Sequence, residues 1–291
     1  MNERDALATL AATLPAAGDD AAVVDGLAVT TDMLHERTDF PDGTTRETAG
    51  WRAVGASLSD LAAMGADATC AVAAYAAPEF DETELSAFVR GASEVCELVD
   101  AEYVGGDLDE HSEFTVASTA VGRVEEPLRR GGASPGEAVC VTGELGRTAA
   151  ALRRFAAGDA EAGNDLFRFT PRVPAGRALR GRASAAMDSS DGLARSLHQL
   201  AEASDCGFAI EWDLLPVHPA VDAVAENESD RRECAAHVGE DFELVFTTPD
   251  PDAALAAVGE VGTQATVIGE VTEGGVVADG ESVPDRGYTH G

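Results

Sequence analysis

Where a few of its aspartates stand constrains this chain more than anything else. Gly18-Asp19-Asp20, Thr30-Thr31-Asp32, Leu58-Ser59-Asp60, Gly105-Gly106-Asp107 and Met187-Asp188-Ser189-Ser190-Asp191 set carboxylates beside Gly, Ser, Thr or apolar residues, at the ends of apolar runs. A solvated face does not call for that setting, and a carboxylate taken out of water is costly unless a cation or strong donors compensate it. A fold that keeps several such groups is expected to bring them together. Converging carboxylates and hydroxyls suit a polynuclear hard-metal site, with Mg²⁺ and its phosphate ligands as the favoured occupant.

The bulk of the acidity has another cause. There are 53 acidic residues against 20 basic ones, a formal net charge of −33, and every basic residue is arginine. Such a surface repels itself in ordinary buffer. Molar salt shrinks the Debye length to about 3 Å and removes most of that penalty. A halophilic, cytoplasmic protein is therefore expected, with a melting temperature that rises as KCl is raised from about 0.1 M to molar concentrations. A melting temperature highest without added salt contradicts this. The same charge disfavours nucleic acid or an anionic membrane as partner, and an anionic phosphate substrate needs bound metal to approach.

Cys70, Cys96, Cys140, Cys206 and Cys234 are odd in number and scattered, with no Cys-x-x-Cys pair. This argues against a disulfide framework or zinc site and for a reduced compartment. The start, with four charges before position 6, counting the terminal amine, and no long apolar core, is unlike a secretory signal, and no apolar stretch approaches the ~20 residues of a membrane span. The 291 residues, 45% hydrophobic, can bury one large or two medium cores.

Strand and helix patterns alternate along the chain. Residues 28–31 read as a strand ending at Asp32, and Thr44-x-x-Glu47 as a capping box opening a helix that runs to Met64, with Asp60 beside its apolar stripe. A buried strand over 68–77, a helix over 82–99, a short strand over 101–104 delivering Gly105-Gly106-Asp107, and a strand over 113–124 follow. Arg129–Gly136 is the clearest boundary, dividing the chain into 1–133 and 134–291. Beyond it come a strand (138–142), helices (145–157 and 172–180), the Asp188 motif, a helix (191–204), strands (208–212 and 242–247), a helix (251–258) and a last strand (265–271). Two α/β-type domains are expected.

Familiar phosphate motifs are missing. Gly143–Thr148 fails the Gly-x-x-x-x-Gly-Lys-Ser/Thr spacing, and the chain has no lysine to serve it or to form a Schiff base. No Gly-x-Gly-x-x-Gly, Gly-x-Ser-x-Gly or EF-hand pattern occurs. Metal, carboxylate and arginine remain, the components of phosphoryl transfer.

Eight motifs then stand in one order: Gly18-Asp-Asp-Ala-Ala-Val, Thr30-Thr-Asp-Met-Leu, Leu58-Ser-Asp-Leu-Ala-Ala-Met-Gly-Ala, Gly105-Gly-Asp, Arg130-Gly-Gly-Ala-Ser-Pro-Gly, Val141-Thr-Gly, Met187-Asp-Ser-Ser-Asp-Gly-Leu and Gly239-Glu-Asp-Phe-Glu-Leu. In this the chain resembles the thiamine-monophosphate kinases over nearly its whole length. The resemblance implies a two-domain α/β (α+β) fold of the aminoimidazole-ribonucleotide-synthetase type, whose N-terminal sheet pairs into a barrel across a homodimer. It implies transfer of the ATP γ-phosphoryl group to thiamine monophosphate. It places Mg²⁺ on Asp20, Thr30, Thr31, Asp32, Asp60, Asp107, Asp188 and Asp191, with K⁺ a further candidate cofactor. ATP falls to Gly106, Asp107, Arg130 and Ser190, and substrate to Glu240 and Tyr288. Asp107 and Arg130 are the expected stabilisers of transition-state charge. Where the family has a histidine before Phe40 this chain has Asp39, which is carried as a weaker substrate contact.

Singly, these residues have plainer readings. Asp19-Asp20 suits a solvated turn, Gly105-Gly106-Asp107 a tight turn, Asp188 and Asp191 helix caps, and Arg130 a surface charge. Two other classes compete: another ATP-using member of the fold group, such as an aminoimidazole ribonucleotide synthetase, selenophosphate synthetase or hydrogenase maturation factor, and a non-enzymatic acidic metal binder. The first reactive-Cys candidate is as late as Cys70 and the chain ends Tyr288-Thr289-His290-Gly291, which is unlike the latter two enzymes.

Overall fold

The computed structural model describes residues 9–10, 13–14 and 16–287. Tyr288 lies outside them.

The first half forms a five-stranded sheet in the order β1-β2-β5-β3-β4, with β1 Ala22–Val24, β2 Leu27–His35, β3 Asp67–Ala77, β4 Glu102–Glu110 and β5 Thr115–Arg123. Only β3 and β4 pair in parallel, joined through a crossover helix. That helix, α2 (Glu82–Glu97), lies on the longer α1 (Arg46–Ala63), and both cover one face of the sheet. Their backbones meet at glycine: a Cβ on Gly91 would stand 1.8 Å from the Glu47 carbonyl oxygen, so no other residue fits.

The other face of this sheet is open. Alternate residues of β2 and β5 are buried while their neighbours face outward. Val29, Met33 and Val72 are exposed on it, Met33 by 56%. An apolar sheet face of this kind marks an interaction surface.

The second half carries a seven-stranded sheet, β12-β11-β8-β10-β6-β9-β7. Its strands are β6 Ala138–Thr142, β7 Ala185–Asp188, β8 Gly207–Ile210, β9 Leu244–Thr248, β10 Ala265–Thr272, β11 Gly275–Ala278 and β12 Glu281–Ser282. Its main helices are α3 Arg147–Ala156, α4 Ala160–Phe167, α5 Val173–Leu179, α6 Leu193–Ser204, α7 Glu228–Ala236 and α8 Pro251–Glu260. One apolar core runs through both halves, from Phe88 and Phe114 to Phe167, Leu244 and Phe246. All five cysteines are free. Among the described residues no helix is long and apolar enough to cross a membrane.

Several local expectations shift. The cap of α1 is Thr45, whose side chain accepts from the Thr48 amide, one residue beyond the predicted capping box. Glu47 does not cap; it pairs with Arg168 and Arg90. The short strand predicted to end before Gly105 is nine residues long and runs through Gly105-Gly106-Asp107. These glycines are not a turn: Gly106 passes so close to β3 that a Cβ would meet the Ala73 carbonyl oxygen. The helix predicted from 191 starts at Leu193, capped without a side-chain bond, so neither Asp188 nor Asp191 is its N-cap. Helices α4 and α7 were not anticipated, being short with few apolar residues to reveal a period.

Candidate active site

Four elements from both halves converge on one acidic centre. The segment before β1 supplies Asp20, the last turn of α1 supplies Asp60, and the end of β7 supplies Asp188; one oxygen of each lies within 4.8 Å of the others. β2 supplies Thr30 and Asp32 on its helix-covered face. The Thr30 hydroxyl donates to Asp60, and Asp32 accepts from Ser57 Oγ at 2.7 Å. The period of two turns Thr31 the other way, where its hydroxyl donates to the Ser118 carbonyl oxygen at 2.8 Å and accepts from Thr119.

Hydroxyls from α1 and from the loop after β7 hold Asp188, which is fully buried. Ser59 Oγ donates to one oxygen at 2.8 Å, and Ser190 donates to the other through Oγ (2.6 Å) and its amide (3.2 Å). Asp191 faces α6, accepting from Gln199 Nε2 at 3.3 Å and standing 4.0 Å from Arg195 Nε. Asp20 is held by Arg130, whose Nη2 and Nε stand 3.0 and 3.3 Å from its two oxygens. Asp19 fixes that arginine's backbone, accepting from the Arg130 amide at 3.0 Å.

Like charge and burial define the electrostatics. Burial first, then the carboxylates of Asp32, Asp188 and Asp20, push the Asp60 pKa well above the usual carboxylate range. Burial and Asp20 push Asp188 up to about 7, against the pull of its serine donors. Burial also lifts Asp241 to about 7, although Gly146 and Thr148 amides donate to it. A folded-state pKa above the unfolded one means that the native state binds more protons. That stability is fully present below the unfolded pKa near 4 and is lost as pH rises through about 7. Melts in EDTA and high KCl should thus show a melting temperature that falls from about pH 5 to pH 8, and Asp188→Asn should flatten the fall. A melting temperature that climbs over this range contradicts the assignment. Three oxyanions this close, backed by hydroxyls and with one guanidinium nearby, fit a hard divalent cation by donor type.

Two expected residues, Gly106 and Asp107, lie at the far edge of the first sheet. Asp107 is exposed on the edge strand β4 and accepts from its neighbour's amide, Leu108 N, at 3.0 Å. It is in register with Ala74 of β3, which pairs with Ala117 of β5, which pairs with Met33 of β2. Three strand spacings put it about 14 Å from β2. Gly106 shares that edge. Asp39 is buried, and one of its oxygens accepts from the His35 amide (2.7 Å) and Thr38 Oγ1 (2.8 Å), closing its own helical turn.

A second polar group adjoins the acidic centre. The loop 239–243 follows Ser190: the Glu240 amide donates to the Ser190 carbonyl oxygen at 2.7 Å, and Glu243 N donates to Ser189 Oγ at 3.0 Å. Glu240 and Phe242 both adopt left-handed backbone, φ 57° and 55°, a sparsely populated region that costs strain and collects at functional sites. Residues that the sequence reading did not single out include Ser57, Ser59, Arg52 and Glu243. The serines alternate with the motif residues on α1, a signal that was present beside Asp60.

Comparison with known proteins finds relatives along the whole chain. Residues 18–124 match the family described as AIR synthase related protein, N-terminal domain, and residues 134–279 its C-terminal domain. The chain is 58% identical over 292 residues to the thiamine-monophosphate kinase of Halobacterium salinarum, covering 100% of both chains. Among solved structures it is similar to AaThiL complexed with AMPPCP and TMP, with TM-score 0.89 and 28% identity over 99% of this chain and 97% of that one. It is also similar to the thiamine-monophosphate kinase of Stenotrophomonas maltophilia, with TM-score 0.82 and 35% identity over 91% and 90% of the two chains.

Proposed function

The chain belongs to the thiamine-monophosphate kinase family, and we propose that it transfers the γ-phosphoryl group of ATP directly to thiamine monophosphate on an Mg²⁺-loaded acidic centre, giving thiamine diphosphate. The convergence of Asp20, Asp60 and Asp188 carries this reading. Thr30, Asp32 and Asp191 extend that donor set. When bound, Mg²⁺ neutralises the two polyanions and the charge that develops on the transferred group. The side chains supply the rest. Ser59 and Ser190 aim the Asp188 oxygens, and Ser57 aims Asp32. Arg130 stands over Asp20 with its guanidinium edge-on, a fork that matches a phosphate. Burial tends to lower the Arg130 pKa, but Asp20, Asp188 and Asp60 raise it, so it stays charged. No general base is needed, because the acceptor phosphate has a second pKa near 6 and is largely ionised at neutral pH.

The reading extends to the assembly. The open face of the first sheet pairs with that of a second copy, closing a barrel with the two-fold along its axis. Opposite edges then meet, and Gly106 and Asp107 of one chain serve ATP at the acidic centre of the other. We divide the chain at 133/134, with nucleotide and metal held mainly by the first part, and we place the enzyme in a high-salt cytoplasm.

The test is an assay with ATP, Mg²⁺, high KCl and thiamine monophosphate. Thiamine diphosphate and ADP in equal amounts are expected. ADP formed only with a different acceptor overturns the reading in favour of another activity of this fold, and metal binding without ATP turnover favours a non-enzymatic role.

A further inference from the structure

Arg52 is a buried cation that the phosphoryl-transfer chemistry does not use. It lies on α1 two turns before Ser59 and Asp60, and it is 2% exposed. Three contacts fix its guanidinium. Nη1 donates to the Phe167 carbonyl oxygen at 2.7 Å, the group stacks 3.6 Å from the Phe167 ring centroid, and Nη2 stands 3.0 Å from Glu240 Oε2. Burying an arginine costs desolvation that only good partners offset, and here one partner is a carboxylate of the other half of the chain.

That carboxylate sits in a loop built to hold it. Beyond the Ser190 contact, the Glu240 carbonyl oxygen accepts from Thr148 Oγ1 at 2.7 Å, and the next residue, Asp241, takes the Gly146 and Thr148 amides. Phe242 stacks on Phe169 with centroids 4.1 Å apart, and the Phe169 carbonyl oxygen accepts from Trp51, the neighbour of Arg52. α1 thus grips the loop through adjacent residues: Trp51 sets the aromatic pair and Arg52 sets the acid. The same helix carries Asp60, so heterocycle and phosphate recognition share one rigid element.

We propose that Arg52 is a positioning residue for the acceptor substrate, fixing the Glu240 carboxylate so that it recognises the cationic heteroaromatic part of thiamine monophosphate. This rests on the reading that Glu240 contacts that substrate. A fixed guanidinium holds one oxygen of that carboxylate in place, so the substrate has less to order on binding.

Steady-state kinetics on the full-length variants Arg52→Met, Arg52→Lys, Glu240→Gln and the Arg52/Glu240 doubles test it, with AMPPCP binding as the check on fold. Arg52→Met should raise KM for thiamine monophosphate about tenfold or more and leave KM for ATP within about twofold. Arg52→Lys keeps the charge without the fork and should raise it about threefold. Both effects should shrink below about twofold in the Glu240→Gln background, the signature of two residues acting as a unit. Equal rises in both KM values, or effects that persist without Glu240, assign Arg52 a merely structural role and overturn the proposal. Should Arg52→Met fail to bind AMPPCP, the Lys variant in both backgrounds decides. An unchanged KM in Glu240→Gln overturns the substrate contact itself and the proposal with it. A raised KM there with none in the Arg52 variants overturns only the role of Arg52.

Discussion

Asp60→Asn is expected to cut turnover about a thousandfold or more while raising the melting temperature of the metal-free protein. The two effects have one cause. Asp60 is surrounded by Asp20, Asp32 and Asp188, and burial plus their repulsion makes its ionised form unfavourable without a cation. An amide of the same shape removes that repulsion and still accepts from Thr30. Relief of about 1–3 kcal/mol is in the range of single substitutions, and each kcal/mol is worth about 2–4 °C in a chain approaching this size. With metal, the sign reverses. Loss of an anionic ligand forfeits part of the several kcal/mol a metal centre contributes to the transition state, and about 4 kcal/mol is a thousandfold in rate. Melts in EDTA and kinetics in Mg²⁺ separate the two. A variant that melts lower in EDTA, or turns over like wild type, contradicts the assignment.

Asp107→Asn is expected to be comparably inactive with little change in stability, since Asp107 is exposed at a sheet edge. The stronger expectation is that the two inactive variants rescue each other. If Asp107 of one chain serves the acidic centre of its partner, a mixed dimer of Asp60→Asn and Asp107→Asn chains holds one site with both changes and one with neither. Random remixing then restores about a quarter of wild-type activity. The reading needs this arrangement because about 14 Å separate Asp107 from β2 within one chain. Remixed dimers that stay inactive contradict the shared site.

Much of the acidic centre could be read from residue types alone, because its aspartates stand where a salt-adapted surface has no use for them. Asp20, Asp60 and Asp188 do converge. What the order of residues could not convey is which side of the sheet each residue faces. Thr30 and Thr31 are neighbours in one motif, yet the strand period sends Thr30 to Asp60 and Thr31 to the opposite face. Gly105-Gly106-Asp107 looked like a turn because glycine pairs usually are one; here a close approach to Ala73 demands the glycine inside a strand. Asp39 stands where the family has a histidine, and it spends one oxygen on its own turn. The partners Arg52 and Glu240 are 188 residues apart, a pairing that no local pattern encodes.

The central claim is that the buried carboxylates work by holding metal ions, and counting those ions tests it most directly. With AMPPCP and thiamine monophosphate in high KCl, Mn²⁺ titration should find about two or more ions per wild-type chain, and at least one fewer in Asp60→Asn. An equal count in the two proteins, both folded and both binding AMPPCP, would contradict the account.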